Sequence, residues 1–198
     1  NNHVLAIANN GSNTAALSGW GNNLIGQIST PVTASFVMST GSNALLTDGR
    51  LFAWGRADNS VLGDSTTVNK SSPTQIGTSS WSTVSSSNGS HTLGITTDGK
   101  LYAWGLNNAG QLGDGTIINR SSPTQIGTGS WVQVGPGGSH TAAIDSSGNL
   151  FTWGSNQYGQ LGQNDTISQS SPVQIAGNKT WSTIAVAGTG HILAIRND

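Results

Sequence analysis

The sequence predicts an all-β protein built from tandem copies of one structural unit. Two observations predict this fold class: a repeat of about 50 residues, and short apolar segments that alternate with a period of two between Gly- and Asn-rich stretches. No segment keeps the apolar period of an amphipathic helix over the roughly 11 residues that would indicate one. Because a unit of this size cannot bury its own faces, the copies are expected to stack against one another.

Tryptophan and histidine define the repeat. The last three Trp-Gly pairs are separated by 50 and 49 residues, a second tryptophan series recurs every 50 residues, and three histidines are separated by 49 and 51. All 7 tryptophans belong to the repeat, which favours space-filling between units over ligand stacking. The repeat positions are Trp20, Trp54, Trp104 and Trp153; Trp81, Trp131 and Trp181; and His3, His91, His140 and His191.

These spacings predict a single repeat domain over residues 1–198. The first unit is degenerate: His3 opens it, Phe36 takes the place of the second tryptophan, and the next unit opens with Asn43 instead of a histidine. The units fall at about residues 3–42, 43–90, 91–139 and 140–190, and residues 191–198 begin a further unit.

Each unit is predicted to hold about four short strands. From His91 the segment HTLGI alternates, and Asp98-Gly99 then predicts a two-residue hairpin turn with positive φ at both central positions. The strand KLYAWG follows, then the loop LNNAGQLGDGT, the segment SSPTQIG and a last strand such as WVQV. A small antiparallel sheet accounts for this order.

The segments WGLNNAGQLGDGT and WGSNQYGQLGQNDT, with GSHT before the first hairpin and Ser-Ser-Pro between, resemble the regulator of chromosome condensation repeat. That family's fold is a β-propeller, usually of seven blades with four strands each. The resemblance implies about four blades here, an arc of a longer propeller. The second unit departs from the pattern, with GRADNSVLGD after Trp54, which predicts a different loop surface. The implied structural positions are Gly105, Gly110, Gln111, Gly113, Gly154, Gly159, Gln160 and Gly162.

The strand types do not occur in equal numbers. Five segments match the histidine strand but only four contain Trp-Gly, whereas a closed ring needs equal numbers. An arc whose ends pair with further blades of the same chain, or with a neighbouring subunit, accounts for this. A ring completed by another subunit and an open stack are the alternatives. Unpaired edges favour association, so the chain alone is expected to oligomerise.

Composition excludes several function classes. Lys and Arg total 7, Asp and Glu total 8, and the net charge is −1, which is too little positive charge for a nucleic-acid binder. No apolar run approaches the roughly 18 residues of a membrane span, so no membrane insertion is expected. Cysteine is absent, which excludes disulfides and thiolate sites. No G-x-S-x-G elbow or P-loop occurs, so no enzyme activity, catalytic residue or cofactor is predicted.

The recurring polar residues favour structural roles. The histidines precede predicted strands, and Asn43, which takes one of their positions, is a poor transition-metal ligand. Inter-strand hydrogen bonding is therefore predicted for the histidines, with no metal site. The aspartates also recur, in hairpins and after Leu-Gly, which indicates turn chemistry rather than paired catalytic carboxylates.

Variation within the repeat indicates where a partner could bind. The loop after Trp-Gly reads RADNSV, LNNAGQ and SNQYGQ in the last three units. Loops on a rigid scaffold commonly carry binding, although neutral drift of solvated loops produces the same pattern. The candidate partner-binding residues are Arg56, Asp58, Asn107, Asn108, Gln157 and Tyr158.

Three function classes follow from the resemblance. Guanine-nucleotide exchange on a small GTPase is disfavoured by the low charge. A secreted, inhibitor-like protein-binding propeller is the second class. The sequence favours the third, a structural or adhesive module of a large surface or virion protein of phage type, because neutral, nearly identical repeats resemble such arrays. The expected location is extracellular, at a cell surface or on a virion. The expected partners are proteins, including copies of this chain or the rest of a longer one.

Overall fold

The computed structural model describes residues 4–9, 15–20, 41–87, 91–175, 177, 179–188 and 190–197. These residues form β-strands and a single 3₁₀ turn at Asp58–Ser60, and no α-helix occurs among them. The all-β prediction is confirmed. His3 and Phe36 lie outside the described residues, and only the backbone of Trp20 is described.

The strands form five antiparallel sheets, each following the order of the chain. The strands are β1 (Val4–Asn9) and β2 (Ala15–Trp20); β3 (Gly41–Leu45), β4 (Leu51–Gly55) and β5 (Lys70–Gln75); β6 (Trp81–Ser86), β7 (His91–Thr96), β8 (Leu101–Gly105) and β9 (Arg120–Gln125); β10 (Trp131–Pro136), β11 (His140–Asp145), β12 (Leu150–Gly154) and β13 (Gln169–Gln174); and β14 (Trp181–Ala187) and β15 (His191–Arg196). We call the sheet of β3 to β5 blade A, that of β6 to β9 blade B and that of β10 to β13 blade C.

The blades begin at the second tryptophan series rather than at the histidines. Trp81 opens blade B and Trp131 opens blade C, so each sheet starts about ten residues before the histidine strand with which a repeat unit was counted. The predicted unit boundaries describe the same period in a different phase.

The hairpin turns differ from the predicted type. The N–H of Gly99 donates to the carbonyl of Thr96 at 2.9 Å, and the N–H of Thr96 donates to the carbonyl of Lys100 at 2.9 Å. This arrangement is a three-residue loop in which only Gly99, at φ +81°, needs the left-handed region. Asp98 keeps negative φ and instead accepts a hydrogen bond from the Thr96 hydroxyl at 2.5 Å. The two-residue turn predicted from Asp-Gly is therefore wrong.

The hydrophobic core lies between successive blades. Leu93 and Ile95 of blade B cluster with Trp131 and Trp153 of blade C. Strand β10 packs against β6 and β7 on one side and against β14 on the other. Each blade thus buries its apolar face only through its neighbour, as the repeat predicts.

Four of the tryptophan side chains that the structure describes are buried: Trp81, Trp104, Trp131 and Trp153. Two of these rings also make an edge-to-face contact with an aromatic ring of the same blade. The ring centroids of Trp81 and Tyr102 lie 5.5 Å apart, and Trp131 makes the equivalent contact with Phe151. Trp181, for which space-filling between units was also expected, is only partly buried. The described residues supply no third strand beside β15 that would bring it an aromatic neighbour.

Candidate functional site

The blades are joined by a tryptophan that donates a hydrogen bond to the loop of the preceding blade. Nε1 of Trp104 donates to the Val61 carbonyl at 3.0 Å, and Nε1 of Trp153 donates to the Gln111 carbonyl at 2.9 Å. We call this carbonyl, together with the glycine two residues later, the indole slot. A Cβ on Gly113 would lie 2.6 Å from Nε1 of Trp153, so only glycine leaves room for the ring. This packing explains the Leu-Gly of the repeat.

A histidine–threonine hydrogen bond reinforces the junction between blades B and C. Nε2 of His91 lies 3.0 Å from Oγ1 of Thr141, and that hydroxyl donates to the Gln111 carbonyl at 2.8 Å. Because a hydroxyl has one proton to donate, Nε2 of His91 must carry the hydrogen of this pair. Burial lowers the pKa of His91 to about 3, so the imidazole is neutral at pH 7.

Asn43 replaces the histidine at the junction of blades A and B through a relay. Its Nδ2 donates to Oγ of Ser86 at 2.9 Å, which lies 3.0 Å from Oγ1 of Thr92. The Thr92 hydroxyl donates in turn to the Val61 carbonyl at 3.3 Å. A shorter side chain therefore reaches the same threonine position through one additional hydroxyl.

His140 departs from the predicted hydrogen bonding. Its side chain is buried, and among the described residues neither ring nitrogen reaches a side-chain partner; the backbone of His191 lies beside the ring and partly offsets the effect of burial on its pKa. The threonine position that it would reach holds Ile192, and the position equivalent to the Ser86 relay holds Val186. Burial also lowers the pKa of His140, so this imidazole too is held neutral.

The described histidines lie on three different strands, β7, β11 and β15. Within the described ranges, no three His, Cys, Asp or Glu side chains are placed to share an ion. His91 already directs one ring nitrogen to Ser87 and the other to Thr141.

We expect chelation to leave the stability of the chain unchanged, because the histidine contacts described above are to protein groups. Thermal unfolding with and without EDTA measures this directly. A lower Tm in EDTA that a single added metal restores would contradict it.

In blades B and C a buried asparagine organises the loop after the Trp-Gly strand. Nδ2 of Asn107 donates to Oδ1 of Asp114 at 3.1 Å and to the carbonyl of Ile118 at 3.1 Å, while its Oδ1 accepts from the N–H of Leu112 at 3.0 Å. Asn156 makes the equivalent contacts in blade C. Asn107 therefore supports the loop from inside, and its side chain does not reach the surface.

A carboxylate and a cation close the same loop in blades A and B. Lys70 lies 3.0 Å from Asp64, and Arg120 lies 2.6 Å from Asp114. Burial alone would raise the pKa of Asp114, but hydrogen bonds from Thr116 and Arg120 outweigh it, and the net pKa is lowered. These aspartates therefore serve loop structure.

The other candidate partner-binding residues are exposed. In blade A, Ala57 stands where the buried asparagine would be, and a 3₁₀ turn follows it. Arg56 and Asp58 form an exposed ion pair there at 2.5 Å. The loop surface of this unit therefore differs from that of the other blades, as its sequence predicts. In the other two blades the exposed candidates are Asn108, Gln157 and Tyr158, with 76% of the tyrosine accessible.

Sequence reasoning missed a row of exposed aliphatic side chains. Val68, Ile118 and Ile167 are 63%, 60% and 64% exposed, and they occupy equivalent positions in the loops of blades A, B and C. Their 50- and 49-residue separations were available in the sequence. An isolated β-branched residue in a polar loop gives no sign of its exposure, however, so only the structure identifies the row.

Replacement of Asn107 by alanine is expected to destabilise the chain by about 1–3 kcal/mol, because it leaves buried loop groups without their partner. The adjacent Asn108→Ala is the comparison: that side chain is exposed and accepts one hydrogen bond, from Nε2 of Gln111 at 3.3 Å, so a smaller loss of at most about 1 kcal/mol is expected there. Urea unfolding of the two variants measures the difference. Equal effects would contradict the role assigned to Asn107.

The described parts of the chain contain no helix with the length and hydropathy needed to cross a bilayer.

Comparison with known proteins identifies the repeat. The model of the regulator of chromosome condensation (RCC1) repeat matches residues 48–95, 98–144 and 147–195. A second model of the same description matches residues 82–111 and 131–160. A search among curated proteins finds no match to the sequence.

Solved structures share the fold. Prp20p from Saccharomyces cerevisiae superposes with a TM-score of 0.77 at 15% identity, over 99% of this chain and 54% of that one. Human WBSCR16 gives 0.73 at 19% identity, over 99% and 56%. The ectodomain of the receptor kinase CR4 from Physcomitrella patens gives 0.55 at 19%, over 100% and 45%. The chain thus spans about half the length of these structures, and at such identities the likeness extends to the fold alone.

Proposed function

This chain belongs to the regulator of chromosome condensation repeat family, and from that premise we propose that it is a non-enzymatic structural or adhesive propeller module of a large surface or virion protein. It acts through contacts with other proteins, outside the cell, at a cell surface or on a virus particle of phage type. It uses no cofactor, does not bind nucleic acid and does not insert into a membrane.

The observation that carries this proposal is the contrast between the inside and the outside of the loops after the Trp-Gly strands. Inside, Asn107 and Asn156 make the same hydrogen bonds and fix the loops to the blades. Outside, the exposed side chains differ from blade to blade. Loops that bind partners are commonly held by a rigid scaffold and carry exposed residues that vary.

The exposed surface also fits protein contact. The aliphatic row of Val68, Ile118 and Ile167 adds exposed apolar area to that of Tyr158. The ion pairs of the described residues each join residues two or six positions apart along the chain, so these charges are neutralised locally.

Two other functions are weighed against this one. A secreted, inhibitor-like propeller would use the same loops to bind a soluble protein and is the alternative. Nucleotide exchange is less favoured. The structure of yeast Prp20p was described together with the binding of that protein to Gsp1p and histones. This chain has only 7 Lys and Arg residues with which to contact partners of that kind.

The location is tested with an antibody raised against the loop of residues 155–160. Labelling of intact source cells or particles is expected without permeabilisation, because the loop is exposed and the module is displayed. Labelling only after permeabilisation would overturn the proposal. Release of labelled nucleotide from a small GTPase on addition of the chain would favour exchange instead.

Contact through the loops is tested with a photo-reactive amino acid in place of Tyr158. Cross-linking to a structural protein of the same surface or particle is expected. The matched control carries the probe at Ser79, which is exposed in the turn between β5 and β6. Equal cross-linking from both positions would contradict loop-mediated contact, and a soluble enzyme as the specific product would favour the inhibitor-like alternative.

A further inference from the structure

Blade A lacks the buried asparagine that supports the loop in blades B and C. Ala57 takes the position of Asn107 and is fully buried. The N–H of Ala57 donates to Oδ1 of Asn69 at 2.9 Å, just as the N–H of Asn107 donates to Oδ1 of Asn119 at 2.8 Å. The N–H of Ser60 donates to the Ala57 carbonyl at 3.0 Å. Because the backbone on both sides of Ala57 keeps its contacts, its Cβ is directed to the place that the carboxamide takes in blade B.

The far side of the loop also keeps its form in blade A. The N–H of Thr66 donates to Oδ1 of Asp64 at 3.1 Å, and the N–H of Val68 donates to Oγ1 of Thr66 at 3.4 Å. The corresponding distances in blade B are 3.0 and 3.2 Å. The N–H of Ser65 donates to the Ser121 carbonyl of the next blade at 2.7 Å. The loop of blade A is thus the same frame with a smaller side chain at its centre.

Three backbone groups of blade A do not have the partner that the asparagine provides. In blade B the carboxamide of Asn107 donates to two loop carbonyls and accepts from the N–H of Leu112. The equivalent groups in blade A are the carbonyls of Thr66 and Val68 and the N–H of Leu62. Among the described residues, no donor reaches these carbonyls and no acceptor reaches this N–H. Leu62 is buried, so its N–H needs a partner inside the loop.

The ligand that fits this site accepts one hydrogen bond and donates two. A water molecule has this capacity, and buried waters typically make about three hydrogen bonds to protein groups that lack other partners. The carboxamide that Ala57 lacks is larger than a water molecule, so the space suffices. A cation fits less well, because the N–H of Leu62 directs its positive end to the site and Lys70 already pairs with Asp64 at 3.0 Å.

We propose that blade A binds a buried water molecule in place of the asparagine side chain. The water accepts from the N–H of Leu62 and donates to the carbonyls of Thr66 and Val68. It supports this loop as Asn107 supports the loop of blade B, but without a covalent bond to the blade. Because a bound water exchanges with solvent, the loop of blade A opens more readily than the loops of blades B and C. The exposed side chains of the proposed function do not contribute to the site, so either proposal can fail alone.

The water is detected by NMR on the nitrogen-15-labelled 198-residue chain, through the nuclear Overhauser effect between water and backbone amides. A cross-peak is expected for Leu62 and none for Leu112 and Leu161, whose N–H groups each donate to an asparagine Oδ1 at 3.0 Å. The Leu62 cross-peak is expected to disappear in Ala57→Asn. Absence of the cross-peak from the unmodified chain, or equal cross-peaks at the three leucines, would overturn the proposal.

Two substitutions of Ala57 distinguish a water from a dry cavity. Ala57→Asn replaces the water with a carboxamide and is expected to raise the Tm by about 2–4 °C, because no water is then immobilised on folding. Ala57→Leu is the matched control, since leucine has nearly the shape of asparagine but cannot form the hydrogen bonds. It displaces the water, leaves the three backbone groups unpaired and is expected to lower the Tm. A higher Tm for Ala57→Leu would indicate a dry apolar cavity and refute the water site.

The choice of salt distinguishes a water from a cation. The Tm of the unmodified chain is measured in potassium chloride and in tetramethylammonium chloride at equal concentration, with Ala57→Asn as the control. The difference between the two salts is expected to be the same for both proteins, because the site holds no ion. A Tm that rises in potassium chloride for the unmodified chain alone would identify a cation at the site and overturn the proposal.

Discussion

Trp104→Ala is expected to lower the free energy of unfolding by about 3–5 kcal/mol, a large fraction of what a domain of this size possesses. The side chain is fully buried between blades A and B and touches Trp81, with ring centroids 5.7 Å apart. Its loss opens a cavity and leaves the Val61 carbonyl with only the long hydrogen bond from Thr92. Because the indole contacts both sheets, its removal weakens the packing between blades A and B, which forms the core of each blade.

The measurement is urea unfolding followed by circular dichroism, with two controls. Trp104→Phe keeps most of the volume and loses the hydrogen bond, so an intermediate loss is expected. Tyr158→Ala removes an exposed ring and is expected to change stability by less than about 0.5 kcal/mol. A loss below about 1 kcal/mol for Trp104→Ala would contradict the packing described here.

Much of the fold could be predicted because the repeat is nearly regular. Trp81 and Trp131 open the first strands of blades B and C, and the Trp-Gly pairs close their third strands. Periodic spacing fixes which strands are equivalent, and alternation fixes which face of each is apolar. It does not fix loop geometry: the Asp-Gly turns were assigned the wrong class, since Gly99 requires a positive φ in the longer loop as well.

The candidate site was harder to predict because neighbouring residues of one type have opposite roles. Asn107 and Asn108 are adjacent and chemically identical, yet one is buried and the other exposed. A signal existed in the repeat: asparagine recurs at Asn156, equivalent to Asn107, whereas Asn108 is replaced by Gln157. Recurrence marks the structural position and variation marks the surface. His140 lacks the threonine partner that His91 has because Ile192, about 50 residues away, takes that position, and only the stacking of blades shows that the two correspond.

Acidification from pH 7 to pH 4 is expected to destabilise the chain by about 3 kcal/mol through His91 alone. The folded pKa of His91 is about 3, against an ordinary value of 6.5, because burial opposes the charged form. A depressed pKa means that the unfolded chain takes up the proton first. The stability this group contributes is therefore complete above pH 6.5 and is lost as the pH falls toward 3. His140, whose pKa burial also lowers, adds to the loss in the same direction.

The histidine effect is separable from that of the carboxylates. The pKa values of Asp64 and Asp114 are lowered in the folded chain, so their stabilisation is present above the ordinary value of 3.8 and disappears only below it. The change in unfolding free energy between pH 6.5 and pH 4 therefore reflects mainly the histidines. His91→Gln keeps an amide N–H for Thr141 and cannot titrate, so its unfolding free energy should fall less steeply across that interval than that of the parent chain. Parallel curves for the two proteins would show that His91 is not held neutral by burial between the blades.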